Sequence, residues 1–161
     1  MTDVKTDILV IGSGVAGLMF ALKVAEHGTV ALVTKKEAME SNTNLAQGGI
    51  ASVFGEMDSF DLHIKDTLAS GDGLCNGDVV ELVVKDGPAR INELIQMGVR
   101  FNLQRKSAGG GDLKAPLDLG REGGHSMNRI VHAHDLTGKE VEQVLLDQVR
   151  KVPAQFAEIA K

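Results

Sequence analysis

The sequence predicts an α/β chain organised on a parallel sheet, and three observations carry that prediction. An uninterrupted apolar run, Ile8-Leu9-Val10-Ile11, reads as a strand buried on both faces. It breaks into Gly12-Ser13-Gly14-Val15-Ala16-Gly17, after which Leu18, Leu22 and Ala25, with Val15 one turn earlier, recur at helical spacing. A second apolar run over residues 30–33 supplies the next strand and completes a β-α-β unit. The expected architecture is a Rossmann-like dinucleotide-binding domain with inserted helices.

The turn between the first strand and the first helix has the spacing G-x-G-x-x-G, at Gly12, Gly14 and Gly17. Gly12 permits the sharp turn, Gly14 has no Cβ to hold off a pyrophosphate, and Gly17 lets the helix pack close to the strand. The helix N-terminus adds unpaired N–H groups and the positive end of a dipole. A glycine-rich turn in an ordinary α/β protein is the plainer alternative. The end of the second strand carries Thr34 and Lys35 where an acidic residue would read a ribose hydroxyl, which argues against NAD.

Residues 35–54 lose helical period and become small and polar, which predicts a long loop suited to a ligand or, more simply, a surface connection. Asp58 and Ser59 are placed to cap a helix through Ser70, ended by the stretch from Gly71 to Gly77. Asp78 with Glu81 has capping-box spacing and predicts a helix whose Val79, Leu82 and Val83 face inward. Pro88 then opens a further helix with Ile91, Leu94 and Ile95 on its apolar stripe, stopped by Gly98. A mobile loop is expected over residues 102–113, with short strands at 117–119 and 129–133. Thr137 and Glu140 form another capping box before a helix turning Val141, Val144, Leu145 and Val149 inward. The ending, Val152-Pro153-Ala154-Gln155-Phe156-Ala157-Glu158-Ile159, lacks the strand expected next.

With 161 residues and 43% hydrophobic content, the chain is long enough for a core, filled by aliphatic residues because Trp and Tyr are absent. A net charge of -5 without a basic run argues against nucleic acid and anionic membrane as partners. Cys75 has no basic neighbour to activate it and reads as structural filler. The apolar stretch over residues 8–22 is too short and glycine-broken to span a bilayer, and Asp3 and Asp7 disrupt a signal-peptide pattern. The expected compartment is the cytoplasm.

A second polar constellation, Gly120-Arg121-Glu122-Gly123-Gly124-His125-Ser126, presents charged groups on a backbone open to close approach. It reads either as a carboxylate and imidazole orienting a small polar substrate or as a solvated hairpin turn. His132 and His134, with Asp135, alternate as metal ligands on a strand would, but no third ligand follows at a recognisable spacing and no metal is expected. Adjacent His125 and Ser126 do not make a hydrolase, since the G-x-S-x-G elbow is absent.

The run Ser41-Asn42-Thr43 through Ala46-Gln47-Gly48-Gly49-Ile50-Ala51 resembles the flavin loop of the succinate dehydrogenase and fumarate reductase flavoprotein family. Residues 120–126, then Arg129-Ile130-Val131-His132-Ala133 and Thr137-Gly138, closely resemble its L-aspartate oxidase branch. The resemblance runs from about residue 7 to 149 and includes the stretch from Asp58 to Leu68. It implies an FAD enzyme that oxidises L-aspartate to iminosuccinate toward quinolinate and NAD, with oxygen or fumarate reoxidising the flavin. Carried over by position, it implies that Gly12, Ser13, Gly14, Val15, Ala16 and Gly17 hold the pyrophosphate and Lys35 meets the adenosine end. Asn42, Thr43, Asn44, Leu45, Ala46, Gln47, Gly48 and Gly49 would face the flavin. Glu122 would orient the substrate through its ammonium group, with His125 and Ser126 also binding it. Covalently flavinylated relatives have His where Asn42 stands, so non-covalent FAD is implied. Association with quinolinate synthase is implied as well.

The resemblance further implies that residues 1–161 are the N-terminal portion of an FAD-binding domain, without the capping and helical C-terminal domains and the later proton-handling arginine. Little or no oxidase activity is expected of this stretch alone, and an incomplete sheet is expected to self-associate through its edges. A soluble fumarate reductase or succinate dehydrogenase flavoprotein is the sibling reading, which Glu122 disfavours because a dicarboxylate without an amine gives it no cation. A non-catalytic nucleotide-binding module is the alternative from a different class.

Overall fold

The computed structural model describes residues 4–104, 116–134, 136–152 and 156–160. In chain order the elements are β1 (Ile8–Ile11), α1 (Val15–Val24), β2 (Val30–Thr34), β3 (Ile50–Ala51), α2 (Phe60–Ser70), α3 (Gly77–Met97), β4 (Leu119–Gly120), β5 (Ile130–Val131), α4 (Thr137–Arg150) and β6 (Phe156–Ala160). They fall into two compact units. The first ends at Ala46 and resumes at Gly138; the second runs from Gln47 to Thr137.

In the first unit β2 is the central strand of a parallel sheet ordered β1-β2-β6, with Ile8 opposite Val30 and Val30 opposite Phe156. Asp7 ties the starts of β1 and β2 together by accepting hydrogen bonds from the Thr29 N–H and hydroxyl, each at 2.8 Å. Those bonds hold the Asp7 carboxyl below the usual carboxylate range. Val10 faces α1, where Leu18 and Ala21 are buried.

Two sequence expectations change here. β1 is not buried on both faces: Leu9 is 58% exposed and Ile11 81%, because among the described residues β1 is an edge strand covered on the Val10 side. The ending does form a strand, β6, although Ala157, Glu158 and Ala160 have weak strand preference. Its parallel pairing with β2, a tertiary contact that local preference does not report, decides it. In α4, Val141 and Leu145 are buried as expected and Val144 and Val149 half-buried, but Leu146 and the charged Glu142 are buried too.

The second unit joins an antiparallel sheet ordered β3-β5-β4 to the helices α2 and α3, which pack on each other. Ser59 caps α2, its Oγ accepting the Leu62 N–H at 3.2 Å. The helix expected from Asp78 and the one expected from Pro88 are one continuous α3. Its cap is Asn76, whose Oδ1 accepts the Val79 N–H at 3.2 Å, so Asp78 lies in the first turn and Glu81 pairs instead with Lys85. Pro88 lacks an N–H and forfeits one rung, yet buried Val84, Ile91 and Leu94 anchor the helix on either side of it. Val79, Leu82 and Val83 are 53%, 68% and 63% exposed rather than inward-facing. Gly98 ends α3 as expected, at φ 110°, a left-handed conformation that favours glycine.

The short strands are narrower than expected: Leu117 bridges Leu103, and the ladder itself holds Leu119 and Gly120 against Val131 and Ile130. Thr137 opens α4, and its Oγ1 accepts the Ala133 N–H at 3.0 Å. The loop expected over residues 102–113 lies largely outside the described residues.

Candidate functional site

In the first unit the glycine turn has the geometry its spacing implied. Gly12 stands at φ 105° and donates its N–H to the Val33 carbonyl at 2.8 Å. A Cβ on Gly17 would sit 2.0 Å from the Gly12 carbonyl oxygen, so only glycine brings helix and turn this close. Gly14 precedes α1 in an extended conformation with no side-chain cap, and buried Ser13 stands before it.

The polar loop folds onto this turn. Thr43 Oγ1 accepts the Val15 N–H at 3.0 Å and lies 3.3 Å from where a Gly14 Cβ would stand. Ser41 Oγ fixes the loop by accepting the N–H groups of Thr43 at 3.0 Å and Asn44 at 3.3 Å. The Ala46 carbonyl accepts the Gly138 N–H at 3.0 Å, and a Cβ on Gly138 would lie 1.7 Å from the Thr43 carbonyl oxygen. The loop therefore rests on the N-terminal turns of both α1 and α4, where helix N–H groups lack intrahelical acceptors. Lys35, Asn42, Leu45 and Ala46 are exposed along this rim.

Two polar groups here are buried: Asn44, from the loop expected to face the flavin, and Glu142, which sequence reasoning missed. Asn44 Oδ1 is buried without a hydrogen-bond partner, and so are both carboxylate oxygens of Glu142. Burial pushes the Glu142 carboxyl up, only partly opposed by Ser41 and the Asn44 N–H. Leu146, four residues on, apolar and buried, is the one sequence signal that marks position 142 as part of the inner face.

The second unit brings together Gly48, Glu122, His125 and Ser126. A Cβ on Gly48 would stand 3.1 Å from Glu122 Oε1. Gly49 passes so close to β5 that its Cβ would meet Ile130 at 2.3 Å, while Gln47 is exposed. The Glu122 carbonyl accepts the His125 N–H at 3.3 Å, and Arg121 Nε donates to the His125 carbonyl at 2.9 Å. Gly124, at φ 83°, completes the turn.

Beneath this turn lies a charge cluster that sequence reasoning missed. Arg129 is fully buried, its Nε and Nη2 donating to Asp58 at 2.9 and 2.7 Å and its Nη1 to Asp66 Oδ2 at 2.7 Å. Asp66 Oδ2 also accepts the N–H and hydroxyl of Ser126, at 2.7 and 2.8 Å. The backbone bond from Ser126, then its hydroxyl and Arg129, hold the Asp66 carboxyl down at about 2. His63 packs edge-on against His125 at 5.6 Å between ring centres, and its burial, then Arg129, pushes its pKa below the usual value. Asp58 also fits a helix cap and Arg129 a strand, and nothing local marks them as partners 71 residues apart. Arg121 and Ser126 line a cleft of about 580 Å³ with Glu56, Asp58, Asp118 and Asn128.

Other readings take their place by geometry. Ser126 gives its hydroxyl proton to Asp66 and not to an imidazole, unlike a hydrolase nucleophile. His132 Nδ1 meets the Asn102 amide at 3.1 Å, and His134, at φ 47°, donates its N–H to Asn102 Oδ1. Asp135 lies outside the described residues, among which no group of three or more His, Cys, Asp or Glu is arranged to hold a metal. No helix among them is long and apolar enough to cross a membrane.

Residues 7–160 match the family model described as FAD binding domain. This chain belongs to the FAD-binding domain family. It is 53% identical over 147 residues to L-aspartate oxidase 2-a of Nicotiana tabacum, a chloroplastic protein, covering 91% of this chain and 22% of that one. It is 43% identical over 148 residues to L-aspartate oxidase of Yersinia pestis, covering 92% and 27%. Among solved structures it is similar to an E. coli quinol fumarate reductase, with TM-score 0.84 and 30% identity over 98% of this chain and 26% of that one. The chain thus spans about a quarter of the length of these relatives.

FAD is the cofactor the family indicates, and the first unit suits it. Gly14 puts no side chain at the mouth of α1, where Thr43 Oγ1 takes the Val15 N–H and the remaining first-turn N–H groups and the helix dipole favour a diphosphate. The Thr43 hydroxyl and the buried, unpartnered Asn44 Oδ1 are further polar groups beside it.

Proposed function

We propose that this chain is the N-terminal FAD-binding segment, residues 1–161, of an enzyme that oxidises L-aspartate to iminosuccinate, in a path toward quinolinate and NAD. The observation that supports this most is the Glu122 carboxylate lying against Gly48 within a stretch 53% identical to a named L-aspartate oxidase. Ser13, Gly14, Val15 and Ala16, between Gly12 and Gly17, bind the pyrophosphate, and Lys35 meets the adenosine end. Asn42, Thr43, Asn44, Leu45 and Ala46 serve the flavin side, a run that Gln47, Gly48 and Gly49 continue along the chain. Asn42 has no nucleophilic ring nitrogen, so the FAD is held non-covalently.

When bound, FAD supplies a two-electron acceptor for the hydride leaving the substrate carbon. Glu122 attracts the substrate ammonium and so orients the carbon that is oxidised, while His125 and Ser126 bind the same molecule. Oxygen or fumarate takes up the electrons, quinolinate synthase receives the unstable imine, and the cytoplasm is the compartment. This segment alone has little or no oxidase activity, and it self-associates through exposed apolar residues such as Leu9 and Ile11.

A second reading, a fumarate reductase or succinate dehydrogenase flavoprotein, draws on the fold likeness to quinol fumarate reductase. Glu122 disfavours it, since a dicarboxylate offers that carboxylate no cation. Anaerobic bleaching of the flavin in the longer protein that carries this segment separates the two: aspartate bleaches it under the first reading, and bleaching by succinate alone overturns that reading.

A further inference from the structure

The contacts of Arg129 determine the hydrogen-bonding character of two neighbours. Its Nη1, besides reaching Asp66, lies 3.3 Å from His125 Nδ1. A guanidinium has N–H groups and no lone pair to offer, so that contact is a hydrogen bond only when Nδ1 accepts. The proton of neutral His125 then sits on Nε2. Asp66 Oδ2, fixed by the same Nη1, takes the Ser126 hydroxyl proton, so the exposed Ser126 Oγ keeps its lone pairs for another partner.

We propose that Arg129, clamped bidentately by Asp58, is a positioning residue that presents His125 as an Nε2–H donor and, through Asp66, Ser126 as an acceptor. A donor beside an acceptor matches the carboxylate and ammonium of an amino acid, which an ion pair serving stability alone would not require. This rests on the reading of His125 and Ser126 as substrate-binding groups. Lysine cannot reproduce the arrangement, because a compact ammonium lacks the planar fork that holds Asp58 while reaching Asp66 and His125.

The test is long-range proton–nitrogen NMR of the 161-residue chain labelled with 15N-histidine, at alkaline pH where imidazoles are neutral. The wild type is expected to show a single Nε2–H pattern for His125, and Arg129→Lys a mixture of both tautomers. Should Arg129→Lys not fold, Asp58→Asn loosens the same clamp and is expected to give the same mixture. An Nδ1–H pattern in the wild type, or an unchanged Nε2–H pattern in a folded Arg129→Lys or Asp58→Asn chain, overturns the proposal. The readout needs neither flavin nor aspartate, so its failure leaves the oxidase reading standing, and failure of aspartate to bleach the flavin leaves the tautomer result standing.

Discussion

Thr43 Oγ1 accepts the Val15 N–H at 3.0 Å, so a loop residue 28 positions away caps the helix that opens after the glycine turn. Gly14 sits at the cap position without a side chain to do this itself. Thr43→Ala is expected to cost about 0.5–2 kcal/mol, the usual worth of an N-terminal cap. Urea denaturation of the two chains checks it; an unchanged midpoint would mean the loop contributes nothing to the helix end.

Gly138 is a comparable point on α4, where a Cβ would stand 1.7 Å from the Thr43 carbonyl oxygen. Gly138→Ala must displace the loop or the helix, at an expected cost of about 1–3 kcal/mol from overpacking. Thermal unfolding measures it, and full tolerance of alanine would contradict the close packing.

Glu142 is buried with neither carboxylate oxygen in a hydrogen bond of good geometry, and burial outweighs the weak pull of Ser41 and the Asn44 N–H to raise its pKa. The folded chain therefore holds the proton more tightly than the unfolded chain. This contribution favours folding below the ordinary carboxyl value of 4.5 and is lost as pH rises through the folded value. Glu142→Gln is expected to stabilise the neutral-pH protein by about 1–3 kcal/mol, with the gain vanishing in acid. A gain that persists undiminished in acid would separate it from the carboxyl.

Asp66 has the opposite sign. Its carboxyl sits at about 2 against an ordinary value of 3.8, so its contribution is complete above 3.8 and lost as pH falls toward 2. For this partly exposed group the amount is on the order of 1–2 kcal/mol. Asp66→Asn should flatten the acid limb of a stability-against-pH curve in that window; an unaltered limb would show that the Ser126 and Arg129 bonds do not persist in solution.

What could be read from the sequence follows the range of the interactions. The β-α-β unit, the Ser59 cap and the Gly98 stop depend on neighbours a few residues away, and local pattern is enough for them. Asn76 displaced the expected Asp78 cap because both carry capping side chains one turn from the same apolar run, and only the backbone conformation chooses between them. β6 and the exposed face of β1 depend on which strands pair, which period and propensity do not encode. Near the site, Glu122, His125 and Ser126 stood out as polar groups among glycines. Asp58, Asp66 and Arg129 did not, because each also fits an ordinary role in a helix cap, a helix or a strand.

The central claim, that FAD rests its diphosphate on the open backbone at Gly14, is tested most directly by titrating FAD fluorescence with this chain, its Gly14→Val variant and its Glu122→Gln variant. Saturable quenching by the wild type and Glu122→Gln, lost in Gly14→Val and reversed when the protein is denatured, is the expected result. Equal quenching by Gly14→Val would contradict it.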